Sequence, residues 1–145
     1  MKFSKALFQL FALKRFIDLT EERLFKRELK NFQKNIRHPN FPIFYGQAKI
    51  DRIDCLIIEY IRGKSLSKID ELKLTEEDKI NIIFQLMLTI EFLQSKKLIY
   101  RDLKPSNLIF DSHRNLILLD FDRMIEIGEQ KEVEKRTKDL NNPYM

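Results

Sequence analysis

The chain has 145 residues, 43% hydrophobic and 34% charged, and 27 Lys and Arg against 22 Asp and Glu leave a net charge of +5. That length and apolar share suffice for one packed core and exclude a wholly disordered chain. The single cysteine, Cys55, excludes an internal disulfide and a cysteine-rich zinc site, no apolar run approaches the roughly 20 residues that span a bilayer, and the basic residues are interspersed with acidic ones.

In chain order, Ala6 to Leu13 is short, apolar and aromatic and reads as a buried strand, although its period does not exclude a helix. It ends in Lys14-Arg15, not in a small-residue cleavage site, so no signal peptide is expected. With one cysteine, the expected compartment is reducing: the cytoplasm, with the nucleus as the other choice. Thr20 offers a helix N-cap, and Glu21 and Glu22 suit the positive end of the helix dipole. The apolar stripe is Leu24, Phe25, Leu29, Phe32 and Ile36, and Glu28 stands four residues from both Leu24 and Phe32, which points a carboxylate along the buried face. His38-Pro39-Asn40 predicts the end of this helix.

Phe41 to Ile50 and Cys55 to Ile61 then predict an antiparallel hairpin around Asp51 to Asp54, with Gly63 as the exit and a boundary between halves near Ile61 to Ser65. A short helical piece, Leu66 to Leu72, precedes Thr75-Glu76-Glu77-Asp78, a near capping box that opens a helix to about Ser95. Its apolar residues, Ile80 to Leu93, cover nearly all sides, which calls for burial all round. Leu98 to Tyr100, Asn107 to Phe110 and Asn115 to Leu119 read as short strands, with His113 in a turn, and from Glu126 to Asn142 the chain reads as an exposed loop or tail.

The polar stretches between those strands carry the strongest pattern. Tyr100-Arg101-Asp102-Leu103-Lys104-Pro105-Ser106-Asn107 is followed by Leu119-Asp120-Phe121-Asp122, with Asp120 lying 18 residues beyond Asp102. Together they resemble the catalytic loop and metal-binding motif of the eukaryotic protein kinases, with Tyr100 where the family usually has His and Asp122 where it has Gly. The resemblance implies ATP- and Mg²⁺-dependent phosphoryl transfer to hydroxyls of a protein substrate. Asp102 would accept or orient the hydroxyl proton, Lys104 would neutralise the moving phosphate, and Asn107 and Asp120 would hold Mg²⁺ through hard oxygens. Lys104, two residues after Asp102, is similar to the serine/threonine group.

Further matches are implied upstream. Phe11-Ala12-Leu13-Lys14 resembles the strand whose lysine holds the α- and β-phosphates, and Glu28 resembles its ion-pair partner. Leu56 to Gly63 resembles the strand leading into the hinge. By that match Ile58 is the gatekeeper, the backbone of Glu59 and Ile61 meets adenine, and Ala12 and Ile109 enclose the ring. The implied fold is α+β, a partial bilobal kinase-like domain. Residues 1–62 form a partial N-lobe with an antiparallel sheet and its helix, and residues 63–145 form a partial C-lobe that ends before the APE motif, which Asn142 to Met145 approach.

Three departures keep a second reading open. No glycine occurs among the 13 residues before Lys14, where the family has its phosphate lid. Asp122 removes a residue free to take positive φ and adds a carboxylate that either disturbs the metal or lends it a ligand. The helices that complete a C-lobe are not in the sequence, which leaves the apolar helix uncovered and predicts a dimer or a protein partner. The alternative is therefore a pseudokinase or kinase fragment acting as a nucleotide-binding or interaction module. Neither nucleic acid nor a membrane is expected as a partner. Thr137, the only hydroxyl residue between Asp122 and Tyr144, is a candidate phosphosite.

Overall fold

A computed structural model describes residues 11–17 and 19–128. Residues 1–10, which hold the first part of the Ala6 to Leu13 strand and most of the stretch where the family has its phosphate lid, together with Thr137 and the Asn142 to Met145 stretch, lie outside the described residues.

The N-terminal half is built on a three-stranded antiparallel sheet of order β1-β3-β2, where β1 is Phe11–Phe16, β2 is Phe44–Ile50 and β3 is Ile53–Glu59. Strict alternation along β1 turns Ala12, Lys14 and Phe16 inward and leaves Phe11 and Leu13 about half exposed. That parity is what sends Lys14 into the molecule. The β2–β3 turn is tight because Asp51 and Arg52 both take left-handed conformations, φ +50° and +66°, as a two-residue hairpin turn requires.

Helix α1, Leu19–Gln33, packs on this sheet through Phe25, which lies edge-on to Phe16 at 5.2 Å beside the fully buried Leu56. The helix begins at Leu19, so Thr20 lies inside it and is not the N-cap. It also ends before His38-Pro39. Asn35 adopts φ +52° just past Gln33 and its N–H bonds Phe32 O at 3.1 Å, so a left-handed asparagine stops the helix before the proline does. Ile36 consequently falls beyond the helix and packs against the second core.

That second core belongs to the C-terminal half. Strand β4, Gly63–Ser65, leads through a 3₁₀ turn at Leu66–Lys68 into α2, Ile69–Leu72, and then into α3, Glu76–Ser95. The start of α3 is a true capping box: Thr75 Oγ1 accepts from Asp78 N at 3.1 Å, and Asp78 Oδ2 accepts from Thr75 N at 3.0 Å. Strands β5 (Leu98–Ile99), β6 (Leu108–Asp111), β7 (Leu116–Leu118) and β8 (Ile125–Glu126) follow, in sheets ordered β4-β6-β7 and β5-β8. Glu126 therefore belongs to a strand and does not open the tail.

Helix α3 buries only one side, through Ile82, Thr89 and Leu93. Ile80, Ile83, Phe84, Met87 and Leu88 are exposed among the described residues, so burial all round is not realised here. No described helix is long and apolar enough to cross a membrane.

Asn40 stitches the halves together: its Nδ2 donates to Leu116 O at 2.6 Å and to Gln85 Oε1 at 2.8 Å, while its carbonyl accepts from Leu118 N at 2.8 Å. This anchors β7, and β7 carries the chain to Asp120. Gly63 matters for contact. A Cβ there would lie 2.5 Å from Ile109 Cγ2 and 2.6 Å from Phe110 O. Gly63→Ala is expected to cost about 1–3 kcal/mol in urea denaturation, because backbone stands on one side and cannot yield as a side-chain tip does.

Candidate active site

Lys14 extends from the inner face of β1 between two carboxylates. Its Nζ lies 2.6 Å from Glu28 Oε2 and 2.6 Å from Asp120 Oδ1. Glu28 is 1% exposed, and its other oxygen, Oε1, accepts from Phe121 N at 3.2 Å. One buried carboxylate thus fixes both the lysine and the turn holding Asp120. Burial opposes the charge on Lys14, but Glu28 and Asp120 outweigh it and hold its pKa above the ordinary lysine value. Burial also pushes the Glu28 carboxyl up, and Lys14 takes back only part of that rise.

The segment after β5 forms the catalytic-loop cluster. Asp102 Oδ2 accepts from Lys104 Nζ at 2.7 Å and from Asn107 Nδ2 at 2.9 Å, and Asn107 Nδ2 also donates to Asp102 O at 3.0 Å. The Lys104 hydrogen bond, reinforced by Asn107, holds the Asp102 carboxyl below the usual range against the opposing effect of burial. A carboxylate that basic groups keep ionised orients a hydroxyl better than it retains its proton. Tyr100, where the family's His is usual, is 3% exposed, and its OH donates to Leu119 O. It is a structural tie between the loop and the Asp120 turn.

Asp120 takes φ +66°, whereas Asp122 is not among the positive-φ residues. The conformational objection to Asp122 therefore does not apply, because the left-handed position in this turn is two residues earlier. Asp102, Asp120 and Asp122 offer carboxylate oxygens that all lie within 4.8 Å of one another. This hard-oxygen donor set fits Mg²⁺, and Asn107 would add to it only through its amide oxygen, since its nitrogen is committed to Asp102. Burial, with Asp120 adding, pushes the Asp122 carboxyl above its ordinary range.

The fold brings Lys14, Glu28 and Asp120 into direct contact and groups Asp102, Lys104 and Asn107 beside them. The residues matched to adenine are spread along strands and share none of these contacts. Ala12 pairs with Ile58 across β1 and β3, and Ile109 lies in β6 beside Asn107. Glu59 N is taken by Ile43 O at 2.8 Å, which leaves only its carbonyl for a ligand, and Ile61 lies in the irregular stretch between β3 and β4. Sequence reasoning missed Asn31, whose Nδ2 donates to Phe121 O at 2.7 Å and Met124 O at 3.0 Å. Its signal was available: it is one turn beyond Glu28, a second polar residue on the buried face of α1.

Comparison with known proteins agrees with this arrangement. Residues 4–145 match the family described as Protein kinase domain. The chain is 33% identical over 130 residues to the Dictyostelium discoideum protein named dual specificity protein kinase zakA, covering 87% of this chain and 16% of that protein. It is 32% identical over 116 residues to dual specificity protein kinase zak2 of the same organism, covering 80% of this chain and 17% of that protein. It is also 32% identical over 93 residues to the Arabidopsis thaliana serine/threonine-protein kinase KIPK2, covering 61% and 10% respectively. The chain thus spans about one sixth or less of the length of these relatives. A family match over nearly all of its length, on a fold that joins Lys14 to Glu28 and Asp120 and sets Asp102 beside Asn107, means that the chain belongs to the protein kinase domain family.

Proposed function

We propose that this chain binds ATP with Mg²⁺ and transfers the γ-phosphoryl group to serine or threonine hydroxyls of a protein. The observation that carries the reading is the Lys14 bridge, 2.6 Å to each of two carboxylates, one of them 106 residues away in sequence. A lysine held so, with its charge enforced from both sides, is a fixed cation for phosphate oxygens. Asp120 and the amide oxygen of Asn107 would hold Mg²⁺, which would neutralise phosphate charge. Asp102 orients the attacking hydroxyl, and Lys104, 2.7 Å from Asp102 Oδ2, neutralises the transferring group. Lys104 and the names of the relatives, which include serine/threonine and dual-specificity kinases, support the choice of hydroxyl.

Thermal unfolding with ATP and Mg²⁺ tests the site. The midpoint is expected to rise, by the equivalent of about 2.7 kcal/mol at a hundredfold excess over Kd, and the increment is expected to vanish in Lys14→Ala. No increment at millimolar ATP rejects the reading. A second reading, an interaction module derived from a kinase, draws on the exposed apolar face of α3 at Ile80, Ile83, Phe84 and Met87, which suits a protein partner or a second copy. Stabilisation by nucleotide without any transfer favours that reading.

A further inference from the structure

Cations already answer two of the three clustered carboxylates. Lys14 Nζ lies 2.6 Å from Asp120 Oδ1, and Lys104 Nζ lies 2.7 Å from Asp102 Oδ2. Arg123 Nη1 lies 3.9 Å from Asp102 Oδ1, and it and Lys14 reach Asp122 only at longer range. Asp122 is treated differently. It is 7% exposed, and its Oδ1 is buried with no hydrogen-bond donor among the described residues. An anionic oxygen withdrawn from water without a donor is costly, and in a folded protein the cost is ordinarily offset by a cation or a metal. The backbone does not explain the residue either, since the turn takes its left-handed conformation at Asp120.

We propose that Asp122 is a metal ligand, and that Asp120 and Asp122, with Asp102 closing the third side, bind a divalent cation in the absence of nucleotide. The three carboxylates make an all-oxygen set whose oxygens lie within 4.8 Å of one another, inside the roughly 4–5 Å that opposed oxygens span around one such ion, and with Lys14 on Asp120 and Lys104 on Asp102 the carboxylate left without a contacting cation is Asp122. The buried Asp122 carboxylate is there before any phosphate arrives, so its attraction for a cation does not wait for phosphate oxygens. Asp120 and Asp122 would thus hold a divalent cation whether or not nucleotide is present. The inference rests on the nucleotide-site reading for its place in the molecule and deepens it, but its test contains no nucleotide.

The probe is Mn²⁺ alone, titrated into the full chain and followed by the paramagnetic resonance of the free ion. The unsubstituted chain is expected to bind it, and Asp122→Asn, which keeps the shape and removes the charge, is expected to weaken binding at least about tenfold. Absence of Mn²⁺ binding by the unsubstituted chain overturns the inference, as does equal affinity in Asp122→Asn. If Asp122→Asn does not fold, Asp122→Gly supplies the same comparison. The two readings fail separately. ATP binding that persists while Mn²⁺ affinity ignores Asp122 removes this inference and leaves the kinase reading standing, whereas Asp122-dependent Mn²⁺ binding in a chain that takes no ATP supports this one and removes the other.

Discussion

Asp102→Asn is expected to lower γ-phosphoryl transfer by about 10²–10⁴-fold while leaving the thermal midpoint and ATP affinity close to those of the unsubstituted chain. The substitution keeps the size of the side chain and an oxygen able to accept from Asn107 Nδ2, now 2.9 Å from Oδ2. It removes the charge that Lys104 faces at 2.7 Å. Lys104 is nearly half exposed, so the lost ion pair itself is worth little to the fold. On the proposed reading, what disappears is the carboxylate that orients the hydroxyl. Transfer of labelled phosphate to a generic serine/threonine substrate is the measurement, with nucleotide affinity read in parallel. Equal transfer by both proteins would remove Asp102 from the mechanism.

The second large effect concerns stability. Lys14→Met keeps most of the side-chain stem and leaves Glu28, 1% exposed, without its cation, and it is expected to cost about 3 kcal/mol in urea denaturation at neutral pH. That is the lower end of the range for breaking a buried pair, because Lys14 is itself about one-third exposed. Adding Glu28→Gln is expected to restore much of the loss, since the double variant buries no charge there.

The pH dependence has a definite sign. Burial raises the Glu28 pKa above 4.5 in the folded chain, and loss of Lys14 removes the main influence that lowers it. Between that raised value and 4.5 the folded form binds a proton that the unfolded chain does not, so stability falls as pH rises and is regained on acidification through that window. A Lys14→Met deficit of the same size across that window would mean that Glu28 is not the buried charge responsible.

How much of this was legible beforehand depends on how far each signal reaches. The capping box at Thr75 and Asp78 was readable because its partners are three residues apart, and Glu28 was readable because helical spacing alone puts it with Leu24 and Phe32. The motifs around Asp102 and Asp120 were legible for the same reason, each being a short loop. The end of α1 was misplaced at His38 because a proline is a louder signal than Asn35, whose left-handed φ depends on its bond to Phe32 O. Asn31 and Asn40 went unread because their partners, Phe121, Met124 and Leu116, are distant in sequence.

By itself the amino-acid sequence determined the family pattern: which acids, lysines and amides the site holds, and in what order and spacing, since those lie within single turns and loops. The resemblance also implied the Lys14–Glu28 pair, and only the tertiary structure decided which other charges meet. Lys14 answers Asp120 as well as Glu28, Lys104 answers Asp102, and Asp122, where the family has glycine, is buried with no contacting cation among the described residues. The reason is physical: local spacing sets the face a side chain takes, but electrostatic pairing depends on distances through space, and those exist only once β1, α1 and the Asp120 turn are packed together.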